Sequence, residues 1–116
     1  TARILNEKES LELRGIHVTD IKGYHEFLSP HELKNDLIGR LLPQKAYEMG
    51  LKVNGKDNQA VFISCTNFRA IEIIERLERE TGKPVISSNQ ATLWHALRKL
   101  GIEDSIKGFG RLLEQH

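Results

Sequence analysis

Apolar residues recur through residues 67–81 at the spacing of one helix face. Ala70, Ile73, Ile74 and Leu77 fall on one side of a 3.6-residue repeat, and charged residues fill the remainder. The spacing predicts a helix from about Asn67 to Thr81, capped by Thr66 or Asn67 and stopped at Gly82. Glu72 with Arg76, and Glu75 with Arg79, stand four apart and are expected to pair on its outer sides. Just before this segment, residues 59–64 predict a strand. Val61, Phe62 and Ile63 are apolar on consecutive positions, as in a strand covered on both faces. Pro84-Val85-Ile86-Ser87 predicts a second short buried strand. Ser88 or Asn89 can then cap a helix from about Gln90 to Leu100, with Leu93, Trp94, Leu97 and Leu100 on one face and Gly101 at its end. Trp94 at this spacing is expected in the core rather than stacked on a ligand.

The flanking segments are shorter. Residues 4–14 carry a helical pattern that Gly15 closes, and Ile16 to Ile21 alternates apolar and polar like a strand. Lys22 to Pro30 is loop-like, and His25 and His31 are read as solvated. Ser29-Pro30-His31-Glu32 is a helix start whose pattern continues from Asn35 to Leu42, where Pro43 breaks it. Gln44 to Leu51 is a further helical piece, residues 52–58 a turn-rich loop, and Gly110–Glu114 the centre of a last short helix. Helices alternating with short strands define an α/β unit with a mostly parallel sheet flanked by helices. Ligands of such sheets sit at the carboxyl ends of the strands. The first helix has no strand before it, since Thr1-Ala2 could supply only the last residues of one. The expectation is a single lobe over residues 1–116, the second half of a longer two-lobe chain, with 102–116 as a tail that packs on the other lobe.

Composition narrows the chemistry. With 116 residues, 39% hydrophobic and 28% charged, the chain is large enough for one core. A net charge of +1 gives no global electrostatic reason to expect nucleic acid or a membrane surface, and no apolar run has the length of a bilayer span. The single cysteine cannot form an internal disulfide, so a reducing, cytoplasmic setting is expected. The five histidines show no zinc-type spacing with it, and Gly108-Phe109-Gly110 lacks the third glycine of a dinucleotide fingerprint. Ser87-Ser88 at a helix start reads equally well as an anion site or as a plain cap. Cys65 is the candidate for chemistry. It sits where the strand ends and the predicted helix begins, facing unpaired N–H groups and the positive end of a helix dipole, both of which favour thiolate. A small buried apolar role is the other reading of the same residue.

Two motifs carry a family resemblance: Ser64-Cys65-Thr66-Asn67-Phe68-Arg69-Ala70-Ile71, and Gly82-Lys83-Pro84-Val85-Ile86-Ser87-Ser88-Asn89-Gln90-Ala91-Thr92-Leu93-Trp94-His95-Ala96. In this order they resemble the maleate cis–trans isomerase and arylmalonate decarboxylase group of the Asp/Glu racemase superfamily, with the ectoine-utilisation proteins nearest. The similarity runs on through Gly108 to Leu113 and corresponds to the second half of a family member. It implies two α/β lobes facing each other across a small pocket, each offering one catalytic position at a strand-to-helix turn. Isomerases and racemases carry cysteine at both positions, decarboxylases only in the second lobe. Cys65 matches the second-lobe position and Asn35 a substrate-contacting asparagine. Thr66, Asn67 and the amides after them match the turn that holds a substrate carboxylate. Arg3 stands where the family has a carboxylate-binding tyrosine, and a guanidinium can also bind carboxylate. The implied activity is a cofactor-independent isomerase or racemase acting on a small carboxylate or dicarboxylate, with Cys65 as acid/base. A malonate-type decarboxylase and a non-catalytic binding module are the alternatives. The implied partner is a homo-oligomer copy or a first lobe.

Overall fold

A computed structural model describes residues 2–23 and 41–116. Helix α1 spans Ala2–Glu12 and ends at Gly15, whose positive φ of 84° accommodates the reversal. The strand expected over 16–21 does not form. The Ile16 N–H donates back to the Leu11 carbonyl, the Ile21 N–H is taken by the Asp20 side chain, and Ile16 is exposed. Alternation makes a strand only where a neighbouring strand takes the backbone groups, and among the described residues this segment has none. The helix start at Ser29-Pro30 and most of its continuation lie outside the described residues. Helix α2, Pro43–Val53, begins with its proline at the first turn, where the missing N–H costs nothing.

The centre is a βαβ unit. Strands β1 (Val61–Ile63) and β2 (Val85–Ser87) pair in parallel, with Val61 opposite Val85, Phe62 opposite Ile86 and Ile63 opposite Ser87. Helix α3, Ile74–Thr81, makes the crossover after a 3₁₀ turn at Ile71–Ile73. Helix α4 spans Ser88–Lys99 and α5 spans Arg111–Gln115. The core joins Ala46 and Tyr47 of α2, Val61, Phe68, Ala70, Ile73, Ile74 and Leu77, and Val85. The predicted inner face of the 67–81 segment is therefore buried as expected. The loop at 54–58 is pinned by Lys83, whose ammonium reaches the Gly55 carbonyl and the side-chain oxygens of Asn54 at 2.8 Å and Asn58 at 3.0 Å.

Four expectations are corrected. Phe62 is 49% exposed, so the cover on both faces of β1 is incomplete in this structure. The α4 face is likewise open, with Leu93 and Leu100 exposed and Trp94 and Leu97 only partly covered. Glu72 pairs with Arg69 rather than Arg76, which reaches Glu80, and Glu75 does not pair with Arg79. Arg76 is drawn there because its guanidinium also stacks over the Tyr47 ring at 3.9 Å, while the Tyr47 hydroxyl donates to Glu80. The cap of α4 is Ser87, not Ser88 or Asn89. Its Oγ accepts from the Gln90 N–H at 3.2 Å, and the Gln90 side chain accepts from the Ser87 N–H at 3.2 Å. Among the described residues no helix is long and apolar enough to cross a membrane.

A buried carboxylate ties the last segment to this unit. Glu78 on α3 accepts from the Val85 N–H at 3.0 Å and from the Arg111 N–H at 2.9 Å. Gly110 closes against the same place with φ 98° and ψ 168°, and a Cβ there would lie 2.6 Å from Ile74 Cγ2. Gly110→Ala is expected to cost about 2–4 kcal/mol, combining essentially glycine-only backbone with a core clash. Gly82→Ala, at φ 70° with open space around it, is expected to cost only about 1–2 kcal/mol. Urea unfolding midpoints of the two variants check this order; equal losses would contradict the packing at Gly110.

Candidate active site

Beyond Ile63, β1 runs into Ser64 and Cys65. A tight turn follows, closed by the Phe68 N–H on the Cys65 carbonyl at 3.3 Å. The expected helix start at Asn67 is replaced by this turn, and α-helical backbone begins only at Ile74. Phe68 and Ala70 are both buried, and residues two apart lie on opposite sides of a helix. Irregular backbone lets both reach the core. Ala70 accordingly sits at φ −124°, ψ −22°, outside helical geometry. The dipole of α3 consequently does not act at Cys65, because its influence is confined to the first turn. Neither Thr66 nor Asn67 caps that helix.

The helix start beside the turn is that of α4. The register sets Ser87, its cap, opposite Ile63, about one strand spacing away. Asn89, in the first turn of α4, donates from its side-chain amide to the Thr66 carbonyl at 3.0 Å. Between turn and helix lies an open depression of about 410 Å³, with Thr66, Asn67, Arg69, Glu72, Asn89 and Leu93 in its lining. Cys65 does not line it. The thiol is half-buried and packs on the edge of the core, immediately before Thr66 and Asn67, which do line it. The Ser87 hydroxyl is committed to the cap, and the capping reading of Ser87-Ser88 is the one the hydrogen bonds express.

The structure thus brings Cys65, Thr66 and Asn67 together at the carboxyl end of β1. Arg3 lies in the first turn of α1, and Asn35 falls outside the described residues. Sequence reading missed Asn89 and the Arg69–Glu72 pair. The Ser-x-x-Gln pattern at 87–90 was a usable signal for the α4 start. Nothing in the sequence distinguishes buried Glu78 from the exposed acids around it.

Parallel strands joined by a crossover helix and flanked by helices define this chain as an α/β protein. It belongs to the arylmalonate decarboxylase family: the sequence model of that family matches residues 9–113. The maleate isomerase of Alcaligenes faecalis is 29% identical over 104 residues, covering 89% of this chain and 39% of that protein. The arylmalonate decarboxylase of Bordetella bronchiseptica is 33% identical over 60 residues, 51% of this chain and 25% of that protein. The fold matches that of a glycine-to-cysteine mutant of arylmalonate decarboxylase in a sulfate-associated form, with TM-score 0.62 and 22% identity over 84% of this chain and 40% of that one. The chain spans about two-fifths of the length of the maleate isomerase relative.

One pKa is tuned at the rim. The hydrogen bond from Arg69, 2.8 Å from the Glu72 carboxylate, holds that carboxyl below its ordinary range, assisted by a backbone hydrogen bond. A depressed folded-state pKa means that the stabilisation is present above the unfolded value and is lost as pH falls through the folded one. Arg69→Leu is expected to raise the Glu72 titration midpoint, read by NMR of the side-chain carboxyl. An unmoved midpoint would show that the guanidinium is not the cause.

Proposed function

We propose that this chain is the cysteine-bearing lobe of a cofactor-independent isomerase or racemase acting on a small carboxylate or dicarboxylate, with the Cys65 thiol as acid/base. The observation that carries the reading is the place of Cys65. It lies two residues past the end of β1 in a chain of the arylmalonate decarboxylase family, next to a turn whose residues line a depression. The chemical problem is to form or quench a carbanion beside a carboxylate. Thr66, Asn67 and the turn amides would bind the carboxylate and spread the charge that develops as it becomes an enediolate. Cys65 would then deliver its S–H proton to carbon, or remove one as thiolate. Asn35 and Arg3 are proposed as further carboxylate contacts.

The facing nucleophile that an isomerase needs would come from a first lobe or a second copy, since this chain has one cysteine. The coverage of the maleate isomerase supports such a partner, as do the exposed Phe62 and Leu93. A second reading, decarboxylation of a malonate-type acid, is favoured by the family model itself. There the C–C bond to one carboxylate breaks, carbon dioxide leaves, and Cys65 alone protonates the remaining enediolate.

Maleate isomerisation and arylmalonate decarboxylation, assayed on the full-length protein, separate the two readings. Under either, Cys65→Ala is expected to lower turnover by at least about a thousandfold, within the usual contribution of about a hundredfold to ten-thousandfold from one proton-transfer group. Activity retained in Cys65→Ala would exclude both and leave a binding module of the same fold.

A further inference from the structure

We propose that Arg69 selects a dicarboxylate at this site: its guanidinium takes the second carboxylate of the substrate, in competition with the Glu72 carboxylate that it now holds. The inference rests on the carboxylate-site reading above and names its substrate class. The depression beside the turn has neutral polar Thr66, Asn67 and Asn89 in its lining, apolar Leu93, and one cation, Arg69. A carboxylate drawn partly out of water needs compensating charge or donors. A diacid brings two such groups, and Arg69 is the one positive side chain in the lining for the second. The turn brings it close to the cysteine. Its closing bond, from the Phe68 N–H to the Cys65 carbonyl, holds the ends of the reversal within about 7 Å, and Arg69 is the next residue. The present partner does not use up the guanidinium. Of its three nitrogens only Nη2 donates to Glu72, at 2.8 Å, and a guanidinium can serve a further carboxylate with its remaining N–H groups. Both side chains of the pair are nearly half exposed, at 49% and 44%, so the pair itself holds little energy. Glu72 also lines the depression, so its oxygen aims the guanidinium while its charge opposes an incoming anion.

The test is calorimetric binding of succinate and of its monoamide, succinamate, to the full-length protein at neutral pH. The two have nearly the same size and shape, but only succinate carries a second carboxylate. The native protein should bind succinate more tightly. In Arg69→Gln the preference should fall about tenfold, the scale of one lost hydrogen bond between charged groups, while succinamate binding stays close to native. Arg69→Lys keeps the charge without the planar fork and should recover only part of the preference; it also stands in should the glutamine form not fold. Glu72→Gln keeps an acceptor for Arg69 but removes the competing charge, so succinate should bind about threefold more tightly, the scale of one exposed ion pair. A merely structural role for the pair would weaken binding in both variants rather than move them in opposite directions. A native protein that binds neither compound would overturn the carboxylate site and this inference with it. Equal binding of the two compounds would leave the carboxylate site standing and overturn the role of Arg69 alone. So would a succinate preference that survives in Arg69→Gln, or weaker succinate binding in Glu72→Gln.

Discussion

Two strands of three residues each cannot hold themselves together, and the buried carboxylate of Glu78 is what the arrangement leans on. It sits on the crossover helix and takes N–H groups from the start of β2 and from the first residue of α5. A buried carboxylate left without donors would be costly, so the helix, the strand and the last segment are constrained to one relative position. Gln90 extends the same constraint. Its side chain accepts from Ser87 at the end of β2 and donates to the Phe109 carbonyl at 2.7 Å. The strand end, the start of α4 and the returning segment are thereby fixed around one buried polar cluster.

That cluster decides what surrounds Cys65. With the start of α4 fixed beside the end of β1, the turn after the cysteine meets the side chains of one helix start and the backbone of its own tight reversal. The burial of Phe68 and Ala70 holds that reversal open as irregular chain. The helix that follows the turn starts too late for its dipole to act at Cys65, and the neighbours of the turn are its own backbone and the Asn89 cross-link from α4. The thiol borders the depression without lining it, so a pocket enclosed by this lobe alone is not what the geometry offers.

Much of this was legible in the sequence. The inner face at 70–77, the two strands, the stop at Gly82 and the C-terminal helix follow from period, burial and glycine placement. What escaped has physical causes. The alternation at 16–21 resembles a strand, but pairing depends on a neighbour that local sequence does not specify. The helix start at 67 was misplaced because periodicity cannot distinguish a helix from an irregular segment that buries Phe68 and Ala70. The α4 face is patterned to be covered, yet Leu93 and Leu100 lie exposed, because the period of one helix does not specify what packs on it. Cys65, Thr66 and Asn67 were singled out through position and motif, and Thr66 and Asn67 line the depression that Cys65 borders. Asn89 was not, because its partner is a backbone carbonyl distant in the chain.

The most direct test of the central claim is whether the thiol and the carboxylate site are one place. Cys65 alkylation by iodoacetamide in the full-length protein can be followed by mass spectrometry of the Cys65-bearing peptide at increasing malonate concentration. The account expects malonate to slow the reaction saturably, because an acid bound by the Thr66–Asn67 turn covers the sulfur. Alkylation that proceeds at one rate whatever the malonate concentration would separate the two, and the catalytic account of Cys65 would be contradicted.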